Sequence, residues 1–164
     1  MLRIFLCVLF MTTNVFAMGQ IPAGTPETTL IGKQAPDFTL ERINSAKSNL
    51  TDARGGKKAI IIFWATWCGV CKEELAKLNP QVADIEAQGV KILLVNVGDS
   101  KEEVRAFMRK KGYGFDSFLD EESALQEPYG LVGVPTLVFV DDNGIVKNFM
   151  HGFPRDYLSA FNGT

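Results

Sequence analysis

A chain of 164 residues, 46% apolar and 22% charged, is long enough for one globular domain and too apolar for a disordered one. A formal charge of −2 leaves no basic footprint for nucleic acid. With three cysteines and one histidine, and Cys7 inside an N-terminal apolar run, the four ligands of a structural zinc site are hard to assemble.

The chain opens with the basic start Met1–Arg3, an apolar core from Ile4 to Met11, polar Thr12–Asn14, and then Val15-Phe16-Ala17. This layout predicts a secretory signal peptide over 1–17, cleaved after Ala17. The apolar run falls short of the ~20 residues of a membrane span, so no transmembrane span is expected in the mature chain. Removing 17 of 164 residues leaves 147, and the loss of Arg3 takes the charge from −2 to −3. Residues 18–34, with Gly19, Pro22, Gly24 and Pro26, read as a flexible linker. The domain is expected over 35–164.

Ala35–Leu40 reads as a short edge strand, because Pro36 cannot donate to a ladder, and 41–56 reads as a loop. Ile60–Trp64 is a continuous apolar run, the pattern of a central strand covered on both faces. Beyond it Cys71, Leu75, Leu78, Val82 and Ile85 recur at helical spacing. Pro80 predicts a kink, with Asn79 capping a second helical segment that stops near Gly89. Lys91–Val97 is a second buried strand. Ser100 and Glu103 form a capping box for a helix that buries Val104, Phe107 and Met108 and ends at Gly112, after Arg109-Lys110-Lys111. A strand over 115–119, a brief helix over 121–129, a hairpin of 136–140 with 145–150, and a last helix from Pro154 with Tyr157, Leu158 and Phe161 inward complete the order. That order implies an α/β fold, a mixed central sheet with helices on both faces.

The chemistry concentrates at Cys68-Gly69-Val70-Cys71. Cys71 lies on the buried stripe, whereas Cys68 lies at the helix start, where unpaired N–H groups and the helix dipole stabilise a thiolate. Cys68 is the expected attacking sulfur and Cys71 the resolving one. C-x-x-C beside a βαβ pattern is the redox signature, against the alternative of two buried thiols or half a zinc site. On the helical wheel Glu74 flanks Cys71, while Glu73 faces away toward Lys77. The position also suits a surface Glu on the first helical turn, favoured by the helix dipole. Trp64 reads as a core aromatic and Trp67 as a rim aromatic shaping the substrate surface.

Phe63-Trp64-Ala65-Thr66-Trp67-Cys68-Gly69-Val70-Cys71 resembles the thioredoxin active site. Gly32–Leu40 resembles the N-terminal segment shared by TlpA/ResA-type thiol-disulfide reductases and peroxiredoxins. Tyr129–Thr136 resembles the cis-proline loop of the thioredoxin superfamily, and the helix and strand between Ser100 and Leu119 match the αβ insertion of the TlpA/ResA type. The resemblance covers about 32–160. It implies a thioredoxin-like fold, a redox-active Cys68–Cys71 disulfide, a cis Val134–Pro135 peptide beside Cys68, and backbone contact between Val134 and a bound substrate chain. It also matches Glu74 to the C-x-x-C-x-x-E position of that family, which implies that Glu74 accepts the proton of Cys71, since Ile62 stands where thioredoxin has a buried Asp. Ala76 departs from the family, which often carries Pro there.

The function so implied is a periplasmic or otherwise extracytoplasmic protein-disulfide reductase of the cytochrome c or oxidase maturation type. No histidine lies between the cysteines to strengthen the thiolate, which favours a reductant. The partners expected are a disulfide-containing client protein and a membrane-bound or extracytoplasmic thiol electron donor. No cofactor is expected, since no G-x-G-x-x-G follows a strand. Two alternatives share the fold: a copper chaperone of the SCO type using Cys68, Cys71 and His151, and a peroxiredoxin-like peroxidase, for which only Thr66 and no upstream Pro is present.

Overall fold

A computed structural model describes residues 27–44 and 47–162. The expected signal peptide and most of the expected linker lie outside the described residues. The remaining part of that linker is bonded to the fold: Gly32 N–H donates to Val146 O (2.8 Å) and Val146 N–H to Lys33 O (2.9 Å).

The elements are β1 (Thr39–Arg42), β2 (Ser48–Asn49), α1 (Leu50–Arg54), β3 (Lys58–Trp64), α2 (Gly69–Leu78), α3 (Val82–Ala87), β4 (Val90–Val97), α4 (Lys101–Lys111), β5 (Ser117–Asp120), α5 (Gln126–Tyr129), β6 (Thr136–Val140) and β7 (Val146–Met150). They form one seven-stranded mixed sheet in the order β2-β1-β5-β4-β3-β6-β7. β3 runs parallel to β4 and antiparallel to β6. Its apolar run is covered on both faces, because side chains alternate across a strand. Ile60, Ile62 and Trp64 pack with Leu75, Ile85, Val104 and Met108 of α2, α3 and α4. Ala59, Ile61 and Phe63 pack with Leu50 of α1 and Tyr129 of α5. The fold is thioredoxin-like, and α4–β5 is the expected insertion, with β5 parallel to β4.

Five local expectations are corrected. β1 is internal rather than an edge, since it pairs with both β2 and β5. The expected loop 41–56 holds β2 and α1, the helix being capped by Asn49, whose side chain accepts from Asp52 N–H, and closed by Gly55 at φ 57°. Pro80 does break the long helix, but through a 3-10 turn over Asn79–Gln81. Asn79 itself is helical (φ −49°, ψ −47°): it closes α2 as its C-cap, its N–H donating to Leu75 O, and does not N-cap the next segment. The brief helix shrinks to α5. The last helix is only a 3-10 turn, Ser159–Asn162, which buries Phe161 and leaves Leu158 43% exposed. The α4 capping box and its left-handed Gly112 stand as expected. Tyr129 is buried with its hydroxyl donating to Pro36 O (2.6 Å), and burial pushes its ionisation above the usual phenol range.

Candidate active site

The end of β3 delivers two loops to one point. Trp64 pairs with Asn96 of β4, and Phe63 with Thr136 of β6. The chain leaving β3 toward Cys68 therefore runs between the segment after Asn96 and the segment before Thr136.

Cys68 is the N-cap of α2, in extended conformation (φ −79°, ψ 111°), and its Sγ accepts from Cys71 N–H at 3.0 Å. Sulfur here takes the place of the oxygen that ordinarily satisfies a free helix N–H, at the positive end of the helix dipole. Cys68 and Cys71 are joined as a disulfide, with their Cα atoms 5.2 Å apart. Cys68 is 7% exposed and Cys71 1%. This places Cys68 toward the surface and Cys71 in the core, as the helical spacing requires.

The second loop carries Val134–Pro135 with a cis peptide bond. Val134 O lies 3.6 Å from Cys68 Sγ. Trp67, next to the nearly covered Cys68, is 69% exposed, and Val70 of α2 and Val132 of the second loop are exposed as well. Trp67, Leu131, Gly133 and Val134 line a groove of about 210 Å³ beside it. Trp64 is wholly buried, its indole N–H donating to Ser117 Oγ (3.2 Å).

Glu74 is half-buried, its side chain 17% exposed. One carboxylate oxygen accepts from Lys77 Nζ (2.9 Å) and the other from Phe153 N–H (2.8 Å). The hydrogen bond to Glu74 raises the ionisation of the Lys77 ammonium. The expected partner of Lys77 is Glu73; the ion pair that forms is instead the i,i+3 pair with Glu74. Glu74, Cys71, Pro135 and Phe153 line a small cavity of about 10 Å³, close to the room one water needs.

Sequence reasoning missed the group that holds the first loop. Asp99, buried just after β4, accepts from Thr66 N–H (2.6 Å), Thr66 Oγ1–H (2.8 Å) and the Asn96 side-chain amide (2.8 Å). Asp99 is 33 residues from Thr66, and a Gly-Asp step after a strand reads only as a turn. His151 sits at the second loop, its Nδ1 2.9 Å from Pro135 O. It does not join the cysteines as a third ligand: among the described residues no group of three or more His, Cys, Asp or Glu side chains is placed to hold a metal ion.

Residues 31–149 match the model of the AhpC/TSA family. The ResA thiol-disulfide oxidoreductase of Geobacillus thermodenitrificans is 37% identical over 122 residues, 74% of this chain and 70% of the relative. The chain belongs to this family, as a TlpA/ResA-type thioredoxin-like protein. ResA of Bacillus subtilis is 36% identical over 121 residues, 74% of this chain and 67% of the relative. The solved structure of a thiol:disulfide interchange protein DsbE from Chlorobium tepidum superposes with a TM-score of 0.71 at 27% identity, over 80% of this chain and 97% of that one. This TlpA/ResA-type protein is accordingly a protein-disulfide oxidoreductase, and Cys68–Cys71 is its one cysteine pair among the described residues.

Proposed function

We propose that the protein works outside the cytoplasm as a reductant of selected protein disulfides, with clients of the cytochrome c or oxidase maturation type. The single observation that carries this reading is the placing of Cys68 Sγ. It lies on the α2 N-terminus, bonded by Cys71 N–H and facing the cis-proline loop at Val134 O. In the reduced protein the Cys68 thiolate attacks one sulfur of the client disulfide. A Cys68–client disulfide forms, and the other client sulfur leaves as a thiolate. Cys71 gives its proton to Glu74 and attacks Cys68 Sγ. The Cys68–Cys71 disulfide forms and the second client thiolate departs. Two electrons have moved to the client, and an external thiol donor, membrane-bound or extracytoplasmic, restores the dithiol. The client chain lies extended against the backbone of Val134 and Pro135, with Trp67 as its apolar wall.

Export is supported by the basic start and short apolar core of residues 1–17. The reductive direction is supported by Gly69-Val70 between the cysteines, which brings no histidine to strengthen the thiolate.

The test is trapping in the native host. A Cys71→Ala protein should accumulate a client joined through Cys68, released by dithiothreitol and absent from a Cys68→Ala, Cys71→Ala control. No adduct, or one that survives loss of Cys68, would overturn the reading.

A further inference from the structure

His151 lies outside the C-x-x-C machinery, yet it is bonded to the loop that faces Cys68. β6 and β7 pair Leu137 with Met150, so Thr136 and His151 are the next cross-strand pair, one step past the end of the ladder. The ladder stops there because Gly152 turns the chain away at φ +135°, a conformation side-chain-bearing residues rarely adopt. Pro135 O is then reached by a side chain, the imidazole of His151, with Nδ1 at 2.9 Å. A carbonyl only accepts, so Nδ1 carries the hydrogen. On the other side of the cis peptide the Thr136 hydroxyl donates to Gly133 O (2.8 Å), and its oxygen lies 3.4 Å from the same Nδ1. Gly133 to Thr136 is thus closed by two side-chain bonds, one on each side of Val134–Pro135.

The same segment reaches the cysteine helix. Two residues beyond His151, Phe153 N–H donates to Glu74, and the Phe153 side chain lines the cavity it shares with Cys71 and Pro135. The stretch His151-Gly152-Phe153 ties the loop that faces the client to the helix that carries the cysteines.

We propose that His151 is a positioning residue for client binding, its Nδ1–H holding the Pro135 carbonyl and so the Val134 backbone in the orientation that a client chain pairs with. This rests on the disulfide-reductase reading of the site. Cys68 keeps its own seat, since the bonds that hold it come from Cys71 N–H and Ala65 O.

The test compares two probes on the Cys71→Ala protein: a synthetic peptide whose single cysteine carries thionitrobenzoate, and free cysteine carrying the same group. In both, the Cys68 thiolate attacks the cysteine sulfur and a Cys68–cysteine disulfide forms. The bond to thionitrobenzoate breaks, and the coloured thionitrobenzoate thiolate leaves with the electron pair. The peptide probe reads the loop and the free-cysteine probe reads Cys68 alone. The peptide should react faster than free cysteine. His151→Gln, whose amide nitrogen mimics Nε2, should lower the peptide rate about fivefold, the size of one neutral hydrogen bond, and leave the free-cysteine rate within about twofold. His151→Asn, whose amide nitrogen mimics Nδ1, should restore the peptide rate. The proposal is overturned if Asn and Gln behave alike, if both probes slow together, or if the peptide holds no advantage to lose. Failure of both probes with the unsubstituted His151 would instead refute the thiol chemistry of Cys68.

Discussion

The two loops that meet at Cys68 are held by different chemistry. The loop that brings Cys68 out of β3 is fixed from inside by a buried carboxylate, Asp99, which accepts three hydrogen bonds at 2.6–2.8 Å. The loop that carries Val134–Pro135 is fixed by two neutral side chains, the exposed imidazole of His151 and the buried hydroxyl of Thr136, each bonded to a backbone carbonyl. Bonds to a charged group are roughly twice as strong as neutral ones, and a buried donor that loses its partner keeps the full desolvation penalty. The seat of the proposed nucleophile is therefore costly to disturb, and the loop proposed to seat the client is more adjustable. The division suits a protein that must keep one sulfur reactive while its binding face is matched to a particular client.

The comparison can be broken at several points. The largest effect is expected at Asp99→Ala, which strands the Thr66 N–H and the Asn96 amide. It should cost about 3 kcal/mol or more in denaturant unfolding, with the slope unchanged. A loss under about 1 kcal/mol would mean that water replaces the carboxylate. Next, Glu74→Gln removes the proposed proton acceptor while an amide oxygen can still accept from Phe153 N–H. Release of the mixed disulfide should slow about 100-fold in single-turnover experiments, with formation little changed. A release rate unchanged in Glu74→Gln would reduce Glu74 to a strut. In the other loop, Thr136→Val removes a neutral bond whose acceptor, the carbonyl of exposed Gly133, can turn to water, and should cost only about 1 kcal/mol. A penalty matching that of Asp99→Ala would erase the contrast between the loops. The smallest effect is expected at Lys77→Ala. An exposed ion pair contributes little, so stability and exchange rates should stay within error.

How much of this was legible follows from range along the chain. The strand–turn–helix around the cysteines carries its own periodicities, so the seats of Cys68 at the helix start and Cys71 on the buried stripe could be read directly. The Ser100–Glu103 box was equally local. The cis Val134–Pro135 bond came only through family resemblance, because a Val-Pro-Thr stretch by itself favours trans. α1 was missed although Asn49, Asp52 and Gly55 mark its two ends, since a five-residue polar helix has no apolar period to reveal it. Leu158 was expected inward from helical spacing, but it lies before the 3-10 turn of Ser159–Asn162 and in no helix. Asp99 and His151 carry no local mark at all. Their roles arise from sheet register, which sets the end of β4 beside Thr66 and the end of β7 beside Pro135.

The measurement that tests the central claim most directly is the equilibrium reduction potential of the Cys68–Cys71 pair, by thiol trapping in redox buffers. The account predicts a value near or below the ~−270 mV of thioredoxin, fitting a reductant fed by an external thiol donor. A value near the ~−120 mV of strong oxidants would contradict it and make the protein a disulfide donor.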